Sequence, residues 1–179
     1  MTTIIYLIGK PGTGKYTIAK ELAKSGYIIC DNHLINNPIF TLLEYDGFKS
    51  IPEFAWETTR KIRINIFEFM SQEHSNNYVL TNVLVVNKGD EKLFKQVENM
   101  ALQRGSLFVP VKLLISEEEN KKRVSSPERA LRYKSLRIDQ NSQLINISHP
   151  NMLEIDVSDL SANTAAEKIL EHVKSIFSN

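Results

Sequence analysis

The stretch Gly9-Lys10-Pro11-Gly12-Thr13-Gly14-Lys15 constrains this chain more than any other. It stands between an apolar, β-branched run, Thr2 to Ile8, and a helical pattern from Lys15 to Lys24 that carries Ile18, Ala19, Leu22 and Ala23. A G-x-x-x-x-G-K loop between a strand and a helix suits phosphate. Its glycines let successive backbone N–H groups turn inward around an anion. The helix behind the loop adds the positive end of its dipole. Lys15 would reach β- and γ-phosphate oxygens. The candidate nucleotide contacts are therefore Gly9, Lys10, Pro11, Gly12, Thr13, Gly14, Lys15, Tyr16 and Thr17.

Beyond the loop, strands and helices alternate. Tyr27 to Cys30 reads as a short strand ending at Asp31, after which 32–47 is irregular. Pro52 opens a long helix to about His74, with Phe54, Ile62, Ile66, Phe69 and Met70 as its apolar stripe. Tyr78 to Val86 is a third strand, and Asp90 to Arg104 a helix facing inward through Leu93, Phe94, Val97, Met100 and Ala101. Leu107 to Ile115 is a fourth strand, disturbed early by Pro110. Ser116 caps an acidic first turn, Glu117 to Glu119, and Pro127 opens another helix to about Ile138. Met152 to Val157 is a fifth strand. Thr164 and Glu167 form a capping box for a last helix with Ala166, Ile169, Leu170, Val173 and Phe177 as its stripe. The pattern predicts an α/β three-layer sandwich, one domain over 1–179, on a five-stranded, mostly parallel sheet. An insert at about 32–74 and a basic segment at about 117–138 would lie over the carboxyl ends of the strands, where such sheets bind ligands.

Composition narrows the function. A length of 179 residues, 42% hydrophobic, gives one domain with a real core. Lys and Arg at 22 against Asp and Glu at 21 leave a net charge of +1, which argues against a nucleic-acid partner. Cys30 is the one cysteine, so no intrachain disulfide forms, and a reducing, cytoplasmic setting is expected. The apolar runs Val79-Leu80 and Val83 to Val86 are too short to span a bilayer, so no membrane association is expected. A monomer or homodimer is the expected state.

The loop in its strand–helix context, with the order of elements along nearly the whole chain, resembles the small P-loop kinases. These are the nucleoside-monophosphate-kinase, shikimate-kinase, gluconate-kinase and chloramphenicol-phosphotransferase types, with a bacterial branch of AAA-like ATPases. Only the loop is highly specific to them. The resemblance implies a P-loop NTPase fold with a helical substrate insert and a basic lid, ATP and Mg²⁺, and a small-molecule phosphoryl acceptor. It implies that Asp31, at the end of the second strand, takes the proton of the attacking hydroxyl or serves the metal. Where shikimate kinases carry Asp-x-Asp, this chain has Asp31-Asn32-His33, so His33 either orients substrate or is itself the base. Asp31 is the favoured base, and an Asx-turn or helix cap is its structural alternative.

Trp56, Arg60, Arg63 and Phe67 recur at spacings of 4, 3 and 4 along the long helix. An arginine and aromatic face can hold a planar or anionic substrate, with Arg63 the preferred residue and Arg60 beside it; the alternative is a partly solvated face in which Trp56 and Phe67 cover core. From Lys121 to Arg137 the chain carries Lys121, Lys122, Arg123, Arg129, Arg132, Lys134 and Arg137 against Glu128 alone. The resemblance assigns Arg123 and Arg129 to a lid over the transferring phosphoryl group. A helix ending in cations, with Glu119 paired to Arg123, would account for part of this charge.

Two departures open other readings. The Ser or Thr that usually follows the loop lysine and holds Mg²⁺ is Tyr16 here, with Thr17 next, at the α-phosphate position. Either Mg²⁺ is held by nucleotide and water, or another side chain such as Asp31 compensates, or metal affinity is weak. The third strand ends in Thr81-Asn82 without a Walker B acid, which keeps a nucleotide-binding regulatory protein as an alternative. Asn87-Lys88-Gly89-Asp90 spells the guanine tetrad N-K-x-D and admits a GTPase. Against that, no D-x-x-G is present, and turn chemistry alone gives the same letters.

Overall fold

The computed structural model describes residues 1–125 and 143–178. Among these, five strands alternate with six helices. They are β1 (Thr3–Gly9), α1 (Lys15–Ala23), β2 (Tyr27–Asp31), α2 (Asn32–Leu42), α3 (Glu53–Gln72), β3 (Asn77–Asn82), α4 (Lys88–Gln103), β4 (Leu107–Leu114), α5 (Glu117–Val124), β5 (Leu153–Asp156) and α6 (Ala162–Phe177). The strands form one sheet in the order β2-β3-β1-β4-β5, and every pairing is parallel.

β1 lies at the centre, and all of its residues are buried. Its pleat sends Ile4, Tyr6 and Ile8 into one core, with Phe67 and Met70 of α3 and Phe94, Val97 and Met100 of α4. Ile5 and Leu7 enter the opposite core, with Ile18 and Leu22 of α1 and Ile169 and Val173 of α6. A strand buried on both faces reads as a continuous apolar run, which is what TIIYLI is. Pro110 sits inside β4 at no cost to the ladder. The Leu107 N–H faces β1, so the nitrogen of Pro110, three residues on, faces the β5 side. β5 pairs with β4 only from Val111 onward.

Four expectations are corrected. Residues 32–42 are helical rather than irregular. The Asp31 carboxylate caps this helix, accepting the Leu34 N–H at 2.8 Å, and Ile35 and Phe40 are buried beneath it. Cap and packing outweigh the poor propensity of Asn32, Asn36 and Asn37 and the N–H missing at Pro38. On α3, Ala55, Thr59, Phe67 and Met70 turn fully inward, while Phe54 and Phe69 are 66% and 62% exposed. The helix has apolar residues on more than one side, and its neighbours select the 55–59–62–66–70 line. The third strand stops at Asn82. Beyond it, Leu84 and Val86 exchange backbone hydrogen bonds with Ile145 and Gln143 instead. The cap of α6 is Ser161, which accepts the Thr164 N–H at 3.1 Å, whereas Glu167 accepts from Asn163 and Phe177 is 49% exposed.

The helix expected from Pro127, with Arg129, Arg132, Lys134 and Arg137, lies outside the described residues. No helix among the described residues is long and apolar enough to cross a membrane.

Candidate active site

The glycine-rich loop leaves β1 at the carboxyl edge of the sheet. Gly12 has φ 94, a backbone state that side chains disfavour. Thr13 is buried, and its hydroxyl donates to the Lys10 carbonyl at 2.9 Å. The Lys15 ammonium folds back over the loop and donates to the carbonyls of Gly9 at 2.7 Å and Lys10 at 2.9 Å. No side chain caps α1, and a helix start carries the positive end of the helix dipole.

α5 packs against this loop. Asn120, 7% exposed, donates its side-chain amide to the Pro11 carbonyl at 2.6 Å. Arg123 pairs with Glu119 through Nε at 2.7 Å, as the charge pattern predicts. That bond holds the Glu119 carboxyl below its usual pKa. The other arm of Arg123 donates to the carbonyls of Val157 at 3.0 Å and Ser158 at 2.9 Å, tying α5 to the turn between β5 and α6.

Tyr16 is half-buried, with the Lys20 ammonium 5.7 Å from its ring centre, and Thr17 is exposed on the same first turn. No group of three or more His, Cys, Asp or Glu side chains among the described residues could hold a metal ion. This donor set fits Mg²⁺ carried in by a nucleotide and water, with few protein ligands.

Asp31 is nearly buried at the end of β2, and its Oδ1 is engaged as the α2 cap. The His33 Nδ1 lies 3.3 Å from the Asn37 side-chain oxygen, one turn on. Beside them runs a polar chain. The Tyr6 hydroxyl donates to Asn82 Oδ1 at 3.0 Å, and Asn82 Nδ2 donates to Asn32 Oδ1 at 3.0 Å. Arg63 donates to that same Asn32 oxygen at 3.2 Å and to Asn36 Oδ1 at 3.4 Å. Burial lowers the pKa of the Arg63 guanidinium, with Tyr6 and Asp90 acting the other way. Its hydrogen-bond partners are neutral amides. Arg60 does not join it: it is turned to Glu53 at 2.6 Å on the exposed side of α3. Phe67 is core, as the alternative reading of that face has it.

Asn87 to Asp90 forms a closed capping turn. Asn87 accepts the Asp90 N–H at 2.9 Å, and Asp90 accepts the Val85 N–H at 2.8 Å and the Asn87 amide at 2.9 Å. The tetrad letters are accounted for by this turn. Sequence reasoning missed Asn120 and the Tyr6, Asn32, Asn36 and Asn82 chain. None of these carries a motif, and only a known packing partner would have marked them.

The glycine-rich loop thus follows the central strand of a parallel sheet in the order β2-β3-β1-β4-β5. No family model and no curated protein matches the sequence. Solved structures do match. A shikimate kinase from Acinetobacter baumannii aligns over 98% of this chain and 94% of its own, at 16% identity and a TM-score of 0.58. A gluconokinase from Sinorhizobium meliloti aligns over 97% and 93%, at 14% identity and 0.59. The tunicamycin resistance protein of Deinococcus radiodurans aligns over 97% and 96%, at 17% identity and 0.60. At these identities the likeness is one of fold, shared with structures described as a shikimate kinase and a gluconokinase.

Proposed function

We propose that this protein is an ATP-dependent phosphotransferase that acts on a small hydroxylated or phosphorylated acceptor. One observation carries the reading: the cradle of Gly9 to Lys15 opens at the same sheet edge as Asp31 and the half-buried Arg63. Lys15 and the loop backbone bind the phosphates. Arg63, held by neutral amides, keeps its full charge for an anionic group on the acceptor. His33 lies on the first turn of α2 and contributes on the acceptor side. The Asp31 oxygen that does not cap α2 accepts the proton of the attacking hydroxyl or serves Mg²⁺. Mg²⁺ brought by the nucleotide would neutralise charge between the β- and γ-phosphates, with Asp31 and Thr17 as the assigned protein contacts. Arg123 and Arg129 are assigned to closure over the transferring group. For Arg123 this means leaving the carbonyls of Val157 and Ser158.

A second reading, nucleotide binding with little transfer, is favoured by the absence of an acid at the end of β3, where Asn82 is committed to Tyr6 and Asn32. An ADP-release assay over a panel of hydroxylated and phosphorylated acceptors, run with ATP and with GTP, separates the readings. Acceptor-dependent turnover with ATP that is lost in Lys15→Ala is expected. Tight ATP binding with no turnover on any acceptor favours the second reading. Absence of ATP binding refutes both.

A further inference from the structure

We infer that Asn120 is a positioning residue for the glycine-rich loop: it holds the Pro11–Gly12 peptide in the orientation that phosphate binding needs. The inference rests on the nucleotide-binding reading above. A phosphate cradle works only if the loop carbonyls face away from the anion and the N–H groups face it. Three consecutive carbonyls here each have a side-chain donor. Lys15 takes those of Gly9 and Lys10, and Asn120 takes that of Pro11 at 2.6 Å. In a trans peptide C=O and N–H point in opposite directions. Fixing the Pro11 oxygen toward α5 therefore turns the Gly12 N–H away from α5.

Without that bond the Pro11–Gly12 peptide is free to turn over, because glycine permits either sign of φ. A turned peptide would put a carbonyl dipole into the cradle and remove a donor. Asn120 is itself fixed. It is 7% exposed, and its helix is capped at its start by Ser116, which accepts the Glu119 N–H. The packing is close enough that a Cβ added at Gly12 would lie 2.6 Å from Asn120 Nδ2 and 2.8 Å from Val124 Cγ2. The donor is also neutral. A carboxylate in the same place would repel both the Pro11 oxygen and the bound phosphates.

The test is calorimetric titration of the full chain with ATP and with inorganic pyrophosphate, alongside the melting temperature without ligand. Asn120→Leu keeps the branched shape and deletes the donor. It is expected to weaken both ligands by the same factor, roughly five- to tenfold, the worth of one hydrogen bond. The ratio of the two affinities, which reports the base end of the nucleotide, should stay unchanged. Asn120→Asp, matched in shape and charged, should lose more than Asn120→Leu. The inference is overturned if wild type binds both ligands and Asn120→Asp binds pyrophosphate as tightly as wild type. It is equally overturned if Asn120→Leu weakens ATP but not pyrophosphate. Wild type that binds neither ligand refutes the nucleotide reading itself, and the inference with it.

Discussion

Replacing Gly12 by alanine tests whether α5 is seated on the glycine-rich loop. Gly12 has φ 94, and an alanine held there costs about 1–2 kcal/mol of backbone strain. The added methyl would also meet Asn120 Nδ2 at 2.6 Å and Val124 Cγ2 at 2.8 Å, closer than real Cβ atoms come. Overpacking of this kind costs about 1–3 kcal/mol. Reduced freedom of the unfolded chain returns about 0.4–1 kcal/mol. Gly26 is the control, with φ 88 and nothing within 4 Å of its added Cβ. Gly26→Ala bears the strain and the unfolded-state gain but not the collision. Gly12→Ala is therefore expected to be less stable than Gly26→Ala by about 1–3 kcal/mol. For a chain of this size that lowers the melting temperature by roughly 2–12 °C relative to the control. Thermal unfolding followed by circular dichroism, without nucleotide, measures both variants directly. Equal melting temperatures would show that α5 does not press on the loop, and the packing argument would fail.

Three further outcomes follow from the site. Asp31→Asn keeps an oxygen for the Leu34 N–H, so stability should change by less than about 0.5 kcal/mol while turnover falls by about 10² to 10⁴; normal turnover would pass the proton to His33 or to the substrate. Tyr16→Ser should make ATP binding more dependent on Mg²⁺ than in wild type, since a phenol beneath Lys20 offers no short hydroxyl to the metal, and identical Mg²⁺ titrations would contradict this. Burial first, and the neighbouring Asp31 second, push the Cys30 thiol from 9.0 up to about 11, against the opposing effect of Arg63. The folded chain then holds its proton where the unfolded chain has lost it, so Cys30 contributes stability below pH 9 that is lost as pH rises toward about 11, at most about 2–3 kcal/mol. Chemical denaturation of wild type and Cys30→Ala should show a steeper loss for wild type in that window, and parallel curves would exclude the effect.

The loop, the succession of strands and helices along the chain and most helix boundaries were legible because their signals are local: glycine spacing, apolar runs and acidic first turns. α2 was not, since its sequence, NHLINNPIFTL, argues against a helix and only the Asp31 cap and the burial of Ile35 and Phe40 decide otherwise. The same carboxylate that reads as a catalytic base thus has a structural task, which no motif announces. On α3 the spacing Trp56, Arg60, Arg63, Phe67 is helical, yet Arg60 and Phe67 separate to solvent and core because a line of residues does not say where its neighbours stand. Asn120 is invisible in sequence for the same reason: its partner is Pro11, 109 residues away.

The central place of β1 also bears on synthesis. Its two neighbours are β3 and β4, so its second edge is first covered when Leu107 to Leu114 has left the ribosome. At about 5–20 residues per second, the roughly 100 residues between β1 and β4 take some 5–20 seconds to emerge. For that interval TIIYLIG is an apolar segment with an open hydrogen-bonding edge and no completed sheet. Slow translation across α4 would lengthen the exposure. A nascent chain halted before β4 should be bound by chaperones that recognise extended apolar peptides, whereas one halted beyond Leu114, with its exit tunnel cleared, should not.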